Sequence, residues 1–100
     1  MENGKYRFHR RASATFRELP VEEQSQTLER LAELSSIPVR DWTPELARRI
    51  SGEESLYLVK VNDSLRLMVQ ADDGEVPVVM DIVRRELLQF FADTAVQSGH

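Results

Sequence analysis

From Tyr6 to Arg10 apolar and basic positions alternate. Tyr6 and Phe8 share one parity, and Lys5, Arg7, His9 and Arg11 share the other, the pattern of a half-buried strand. Ala12, Phe16 and Leu19 then recur at helical spacing until Pro20 interrupts them. Val21-Glu22-Glu23 behind Pro20 reads as a helix start, with proline at the first helical position and acids near the positive helix end. Leu28, Leu31, Ala32 and Leu34 supply the apolar stripe of this second helix. The pattern predicts a helical hairpin, or one kinked helix, over residues 12–35. After a connection holding Pro38, Thr43-Pro44-Glu45 reads as an N-cap, a first-turn proline and an acid. It predicts a short helix to about Ile50 that Gly52 can close.

The period then changes to two. Leu56 to Val61 and Ser64 to Ala71 are predicted strands, joined by a tight turn at Asn62-Asp63. Asp72-Asp73-Gly74 is a strong turn signal. Val76 to Val83 follows as a nearly continuous apolar run, hence an interior strand, with Pro77 tolerable near its start. From Arg84 the pattern is helical again, with Leu87, Leu88, Phe91 and Ala95 on one face. Residues 95–100 are small and polar, the composition of a fraying tail. Helices grouped before a meander indicate an α+β fold in a single domain spanning residues 1–100. The first strand must join the meander, because a lone strand leaves its backbone groups unpaired. The expectation is a four-strand, mostly antiparallel sheet with helices on one face.

Strand parity sorts the side chains of that sheet. Leu65, Leu67 and Val69 point to the core, which puts Arg66, Met68 and Gln70 on the opposite, open face. With Tyr6 and Phe8 in the core, Arg7 and His9 fall on the open face. Lys60 joins them if Tyr57, Val59 and Val61 are core. Arg84 and Arg85 stand where the last strand ends. The expected open face thus gathers Arg7, His9, Lys60, Arg66 and an arginine at 84 or 85. Open faces commonly carry lysine and arginine, and Arg66 can equally pair with Asp81 or Glu75 across the meander. Trp42 reads as a packing residue of its connection. Glu22, Glu23, Glu29 and Glu33 read as a solvated helix face.

Charge makes this grouping informative. The chain holds 13 basic and 17 acidic residues, a formal charge of −4, so bulk charge does not attract nucleic acid and a cationic face is a local exception. Cysteine is absent, which excludes disulfides, thiolate metal sites and a cysteine nucleophile. No apolar run reaches the roughly 18 residues of a membrane helix, and the N-terminus lacks a signal core. A cytoplasmic protein is expected. No phosphate loop, metal motif or nucleophile elbow is present, and the two histidines sit at opposite ends of the chain. No metal and no cofactor is expected.

The stretch from Leu56-Tyr57-Leu58-Val59-Lys60 to Leu65-Arg66-Leu67-Met68-Val69 resembles the paired strands of the RelE/ParE superfamily of bacterial toxins from type II toxin–antitoxin systems. Val78 to Arg85 is similar to the last strand of that family, and Tyr6-Arg7-Phe8 before a helical hairpin also fits. The resemblance spans roughly residues 5–92. It implies a plasmid-stabilisation type of toxin held by a cognate antitoxin across its sheet edge or cationic face, with Met68 and Phe90 on the rim. In the ribonuclease branch it implies metal-independent cleavage of mRNA on the ribosome by attack of a ribose 2′-hydroxyl on the adjacent phosphate. Carried over, Arg66 is the phosphate stabiliser, Arg84 a proton donor or charge clamp, and Lys60 a strand lysine. Arg7, His9, Arg85 and Phe90 would then touch substrate, Phe90 by stacking on a base. The resemblance leaves open a non-enzymatic inhibitor of DNA gyrase and a non-toxic relative that only binds an antitoxin.

Overall fold

A computed structural model describes residues 4–50 and 55–88. The elements are β1 (Arg7–Phe8), α1 (Arg10–Glu18), α2 (Val21–Ser35), a 3-10 turn (Val39–Asp41), β2 (Ala47–Arg49), β3 (Leu56–Lys60), β4 (Leu65–Gln70) and β5 (Val78–Arg84). Residues 85–88 turn helical directly after β5. Phe91 and Ala95 of the expected final helix, and the tail at 95–100, lie outside the described residues, as does Gly52.

The strands form one mixed sheet in the order β1-β5-β4-β3-β2. The meander β3-β4-β5 is antiparallel, and β1 adds to β5 in parallel. The fold class is α+β, as the order of periods indicates. Among the described residues the sheet has five strands rather than four, because Ala47–Arg49 pairs antiparallel with β3 instead of continuing a helix. The cap signal at Thr43-Pro44-Glu45 produces a single turn, in which the Leu46 and Ala47 amides both donate to the Thr43 carbonyl at 2.9 Å. The chain then extends, since β3 presents an unpaired backbone edge and the sheet core receives Ala47.

Local chemistry explains the other boundaries. The His9 Nδ1 accepts the Arg11 amide at 3.2 Å and caps α1. Ala12, Phe16 and Leu19 are buried, as their spacing predicts. Pro20 is the N-cap of α2, one position earlier than expected, and Val21 opens the helix. The Gln24 side-chain amide reaches back to the Phe16 and Leu19 carbonyls at 3.0 and 3.2 Å and closes the helical hairpin. The stripe that α2 buries is Thr27, Leu31 and Leu34, while Leu28 and Ala32 are exposed. Spacings of four and three keep those three residues on one helical face, and the expected Leu28 lies a residue off it.

The core lies between the helices and one sheet face. Val59, Leu67, Val69 and Val79 are fully buried, with Phe8 edge-on to Phe16 at 5.4 Å between ring centroids. Burying one such aliphatic side chain stabilises the fold by about 1.5–3 kcal/mol. Trp42 packs edge-on against Tyr57 at 5.1 Å and donates its indole N–H to the Ile37 carbonyl at 3.0 Å. The Asp72–Glu75 turn carries Gly74 at φ 83° with Glu75 N–H bonded to the Asp72 carbonyl, a type II geometry. The β3–β4 connection is one residue longer than expected. Val61 N–H bonds the Leu65 carbonyl at 3.0 Å, enclosing Asn62, Asp63 and Ser64. A two-residue primed turn needs positive φ, and among the described residues only Gly74 has it.

Candidate functional site: a cationic cleft on the open sheet face

Register assigns each candidate to a face. Lys60 pairs with Arg66, and Arg66 with Val83; Leu58 pairs with Met68, and Met68 with Asp81. These rows lie on the face opposite buried Val59, Leu67 and Ile82. On β2, Arg48 pairs with Leu58 and joins the same face. The turn before β2 closes over this corner. Pro44, Glu45, Leu46, Arg48, Leu58, Lys60 and Arg66 line a cleft of about 190 Å³. Three cations and one carboxylate therefore meet over an apolar floor in a chain of net negative charge.

The charges in the cleft are held in different ways. The Arg66 guanidinium donates through Nη1 to the Asn62 carbonyl and to the Leu65 carbonyl, the latter at 3.1 Å. Neutral carbonyls hold the group in place without cancelling its charge. Lys60 Nζ lies 3.3 Å from Asp63 Oδ1, with both side chains exposed. Such a pair is worth under about 1 kcal/mol and yields readily to a competing anion. The Glu45 carboxyl is held below the ordinary glutamate range by its own backbone N–H and by the Thr43 hydroxyl. It is thus ionised at neutral pH and can accept a proton or a hydroxyl hydrogen bond.

The predicted residues are not all brought together. Arg84 belongs to the opposite face, because it pairs with buried Leu65 in the register. Its guanidinium forks onto the Glu23 carboxylate of α2 at 2.8 and 2.9 Å and reaches Ser64 Oγ at 3.2 Å. The expectation of Arg66 and Arg84 side by side is corrected, since adjacent strand positions alternate faces and β5 runs one residue past Val83. Glu23 is corrected with it. Rather than a solvated helix face, Glu23 is a half-buried anchor whose acidity is raised chiefly by the Arg84 hydrogen bond. Asp81 is not the partner of Arg66 either. Its carboxylate takes the Ile82 amide at 2.9 Å and lies 3.6 Å from Arg11 Nε.

Arg7 and His9 are also distant from the cleft. Arg7 pairs with Val78 in the row of Gln70, roughly 13 Å along and 10 Å across the strands from Arg66 by ideal sheet spacings. His9 serves as the cap of α1. Arg85 is exposed just after β5, and its amide donates to the Ser64 carbonyl at 2.9 Å. Phe90 lies outside the described residues.

Glu45 and Arg48 complete the cleft and escaped the sequence reading, which assigned both to a helix. Their signal is faint: three strand residues are too few to display a period of two. Among the described residues, no group of three or more histidines and acids is disposed to hold a metal ion. No helix among them is long and apolar enough to cross a membrane. Comparison of the chain with protein-family models, curated proteins and solved structures finds no match.

Proposed function

We propose that this chain is the toxin component of a type II toxin–antitoxin system and cleaves RNA, without a metal, in the cleft of Glu45, Arg48, Lys60 and Arg66. The observation that carries the reading is the convergence of three cations and one ionised carboxylate in one cleft of a net-negative chain. The similarity of Leu56–Val69 and Val78–Arg85 to RelE/ParE strands supports the same reading.

The chemistry follows from the groups. Arg66 and Arg48 are permanent cations able to grip a phosphodiester and stabilise the added charge of its phosphorane. Glu45 takes the proton of a ribose 2′-hydroxyl as the 2′-oxygen–phosphorus bond forms. The bond from phosphorus to the 5′-oxygen breaks, and that oxygen takes a proton from the Lys60 ammonium. The products are a 2′,3′-cyclic phosphate and a 5′-hydroxyl. A cytoplasmic complex with a cognate antitoxin covering Met68 and the cleft rim keeps the activity silent, and the ribosome is the partner that presents mRNA.

The Arg84–Glu23 pair favours a second reading, a gyrase inhibitor or an antitoxin-binding relative without catalysis, since it withdraws one expected arginine from the site. Induced expression in bacteria separates the readings. Arrest of amino-acid incorporation that Arg66→Ala and Glu45→Gln both abolish supports the nuclease. Arrest of thymidine incorporation with an SOS response supports the gyrase reading, and unimpeded growth the binding relative.

A further inference from the structure

Asn62 uses every hydrogen-bonding position of its side chain. Its Oδ1 accepts the Ser64 and Leu65 amides at 2.8 and 2.9 Å and the Ser64 hydroxyl at 3.2 Å. Its Nδ2 donates to Glu23 Oε2 at 3.1 Å and to Gln26 Oε1 at 2.8 Å, both on α2. The main-chain carbonyl of the same residue holds the Arg66 guanidinium, and so does the carbonyl of Leu65, whose amide Asn62 itself binds. A second strap from α2 is parallel to this one: Arg30 Nε donates to the Lys60 carbonyl at 2.9 Å. The hairpin that carries both Lys60 and Arg66 is therefore tied to the helix layer, and Asn62 is the knot.

We propose that Asn62 is a positioning residue for Arg66: by fastening the β3–β4 hairpin to Glu23 and Gln26 of α2, it fixes the two carbonyls that aim the Arg66 guanidinium into the cleft. The consequence for ligand binding rests on the anion-site reading above; the placement of Arg66 does not. Glu23 and Gln26 belong to α2, so the helix layer governs the Arg66 side of the cleft through one side chain.

The test has two arms. In the first, nitrogen-15 NMR follows the Arg66 side-chain N–H signals of the whole chain. Hindered rotation of the guanidinium is expected in the wild type, and free-arginine behaviour in Asn62→Ala. Unchanged Arg66 signals in Asn62→Ala overturn the proposal. In the second arm, a short fluorescein-labelled single-stranded RNA is titrated. Asn62→Ala is expected to weaken its affinity roughly tenfold when Arg66 is present and not at all in an Arg66→Ala background. An equal loss in both backgrounds overturns the proposal, because Asn62 then acts through general folding.

If Asn62→Ala does not fold, Asn62→Asp keeps the acceptor for Ser64 and Leu65 but sets a carboxylate against Glu23. It is expected to loosen Arg66, and Glu23→Gln added to it is expected to restore the hindered signals by supplying a donor. Failure of that rescue also overturns the proposal. If Arg66→Ala binds RNA as the wild type does, the anion-site reading fails, and the NMR arm still decides the role of Asn62.

Discussion

Arg66 and Arg84 leave the same end of the sheet within one residue of register, on opposite faces, and the fold gives them different work. On the helix side, Arg84 meets a carboxylate in a two-pronged pair and its charge is neutralised locally. On the open side, Arg66 meets only carbonyl oxygens in its hydrogen bonds among the described residues and stays a net cation beside Arg48 and Lys60. Identical side chains thus become a structural clasp and an uncancelled cation in a cleft, according to the partner. A charged partner cancels the field, while a dipolar one orients the group and leaves the field outside.

The strongest way to break this comparison is to delete each arginine and read two properties. On the proposed nuclease reading, Arg66→Ala should remove about 2–4 kcal/mol of transition-state stabilisation, measured as lost RNA cleavage. Its unfolding free energy from urea titration should change by no more than about 0.5 kcal/mol. Arg84→Ala should do the reverse. It leaves half-buried Glu23 without its cation, so urea unfolding should show a loss of about 1–2 kcal/mol while the cleft keeps its charge. If both variants lose the same property, the division between the faces is wrong.

Acid sharpens the contrast more gently. The Arg84 hydrogen bond holds the pKa of folded Glu23 below its unfolded value, so the unfolded chain binds protons first as pH falls. The stabilisation is complete above the ordinary glutamate range and is lost as pH drops through the lower, folded value. Urea midpoints taken from neutral pH downward should therefore fall more steeply for the wild type than for Glu23→Gln. Equal slopes would remove the pair as a source of stability.

The smallest expected effect concerns Thr27, one helical turn beyond Glu23. It is fully buried, and its hydroxyl has no hydrogen-bond partner among the described residues. Thr27→Val keeps the shape and removes the orphaned hydroxyl, so it should raise stability by about 1 kcal/mol in thermal unfolding. A loss instead would mean that the hydroxyl finds a partner in solution. Polarity on the helix side stabilises where Glu23 and Arg84 answer one another, and costs where Thr27 stands alone.

Much of this architecture was legible in the chain itself. Alternation over six residues put Leu65, Leu67 and Val69 in the core and Arg66 on the open face, because a pleated strand offers only two directions and one must be dry. The helical spacing of Ala12, Phe16 and Leu19, and the turn at Gly74, were equally plain, since each depends on neighbours a few residues away. Other features had no local signature. Strand β2 is three residues long and extends because β3 offers it an edge, whereas Thr43-Pro44-Glu45 by itself points to a helix. Without β2, neither Arg48 nor Glu45 could be placed in the cleft. Arg84 was misassigned because its face depends on where β5 stops, and its partner lies 61 residues away on α2. Periodicity and capping are local, and the chain encodes them directly. Which carboxylate meets which guanidinium is decided only when distant segments pack, so tertiary structure alone separated the clasp from the site.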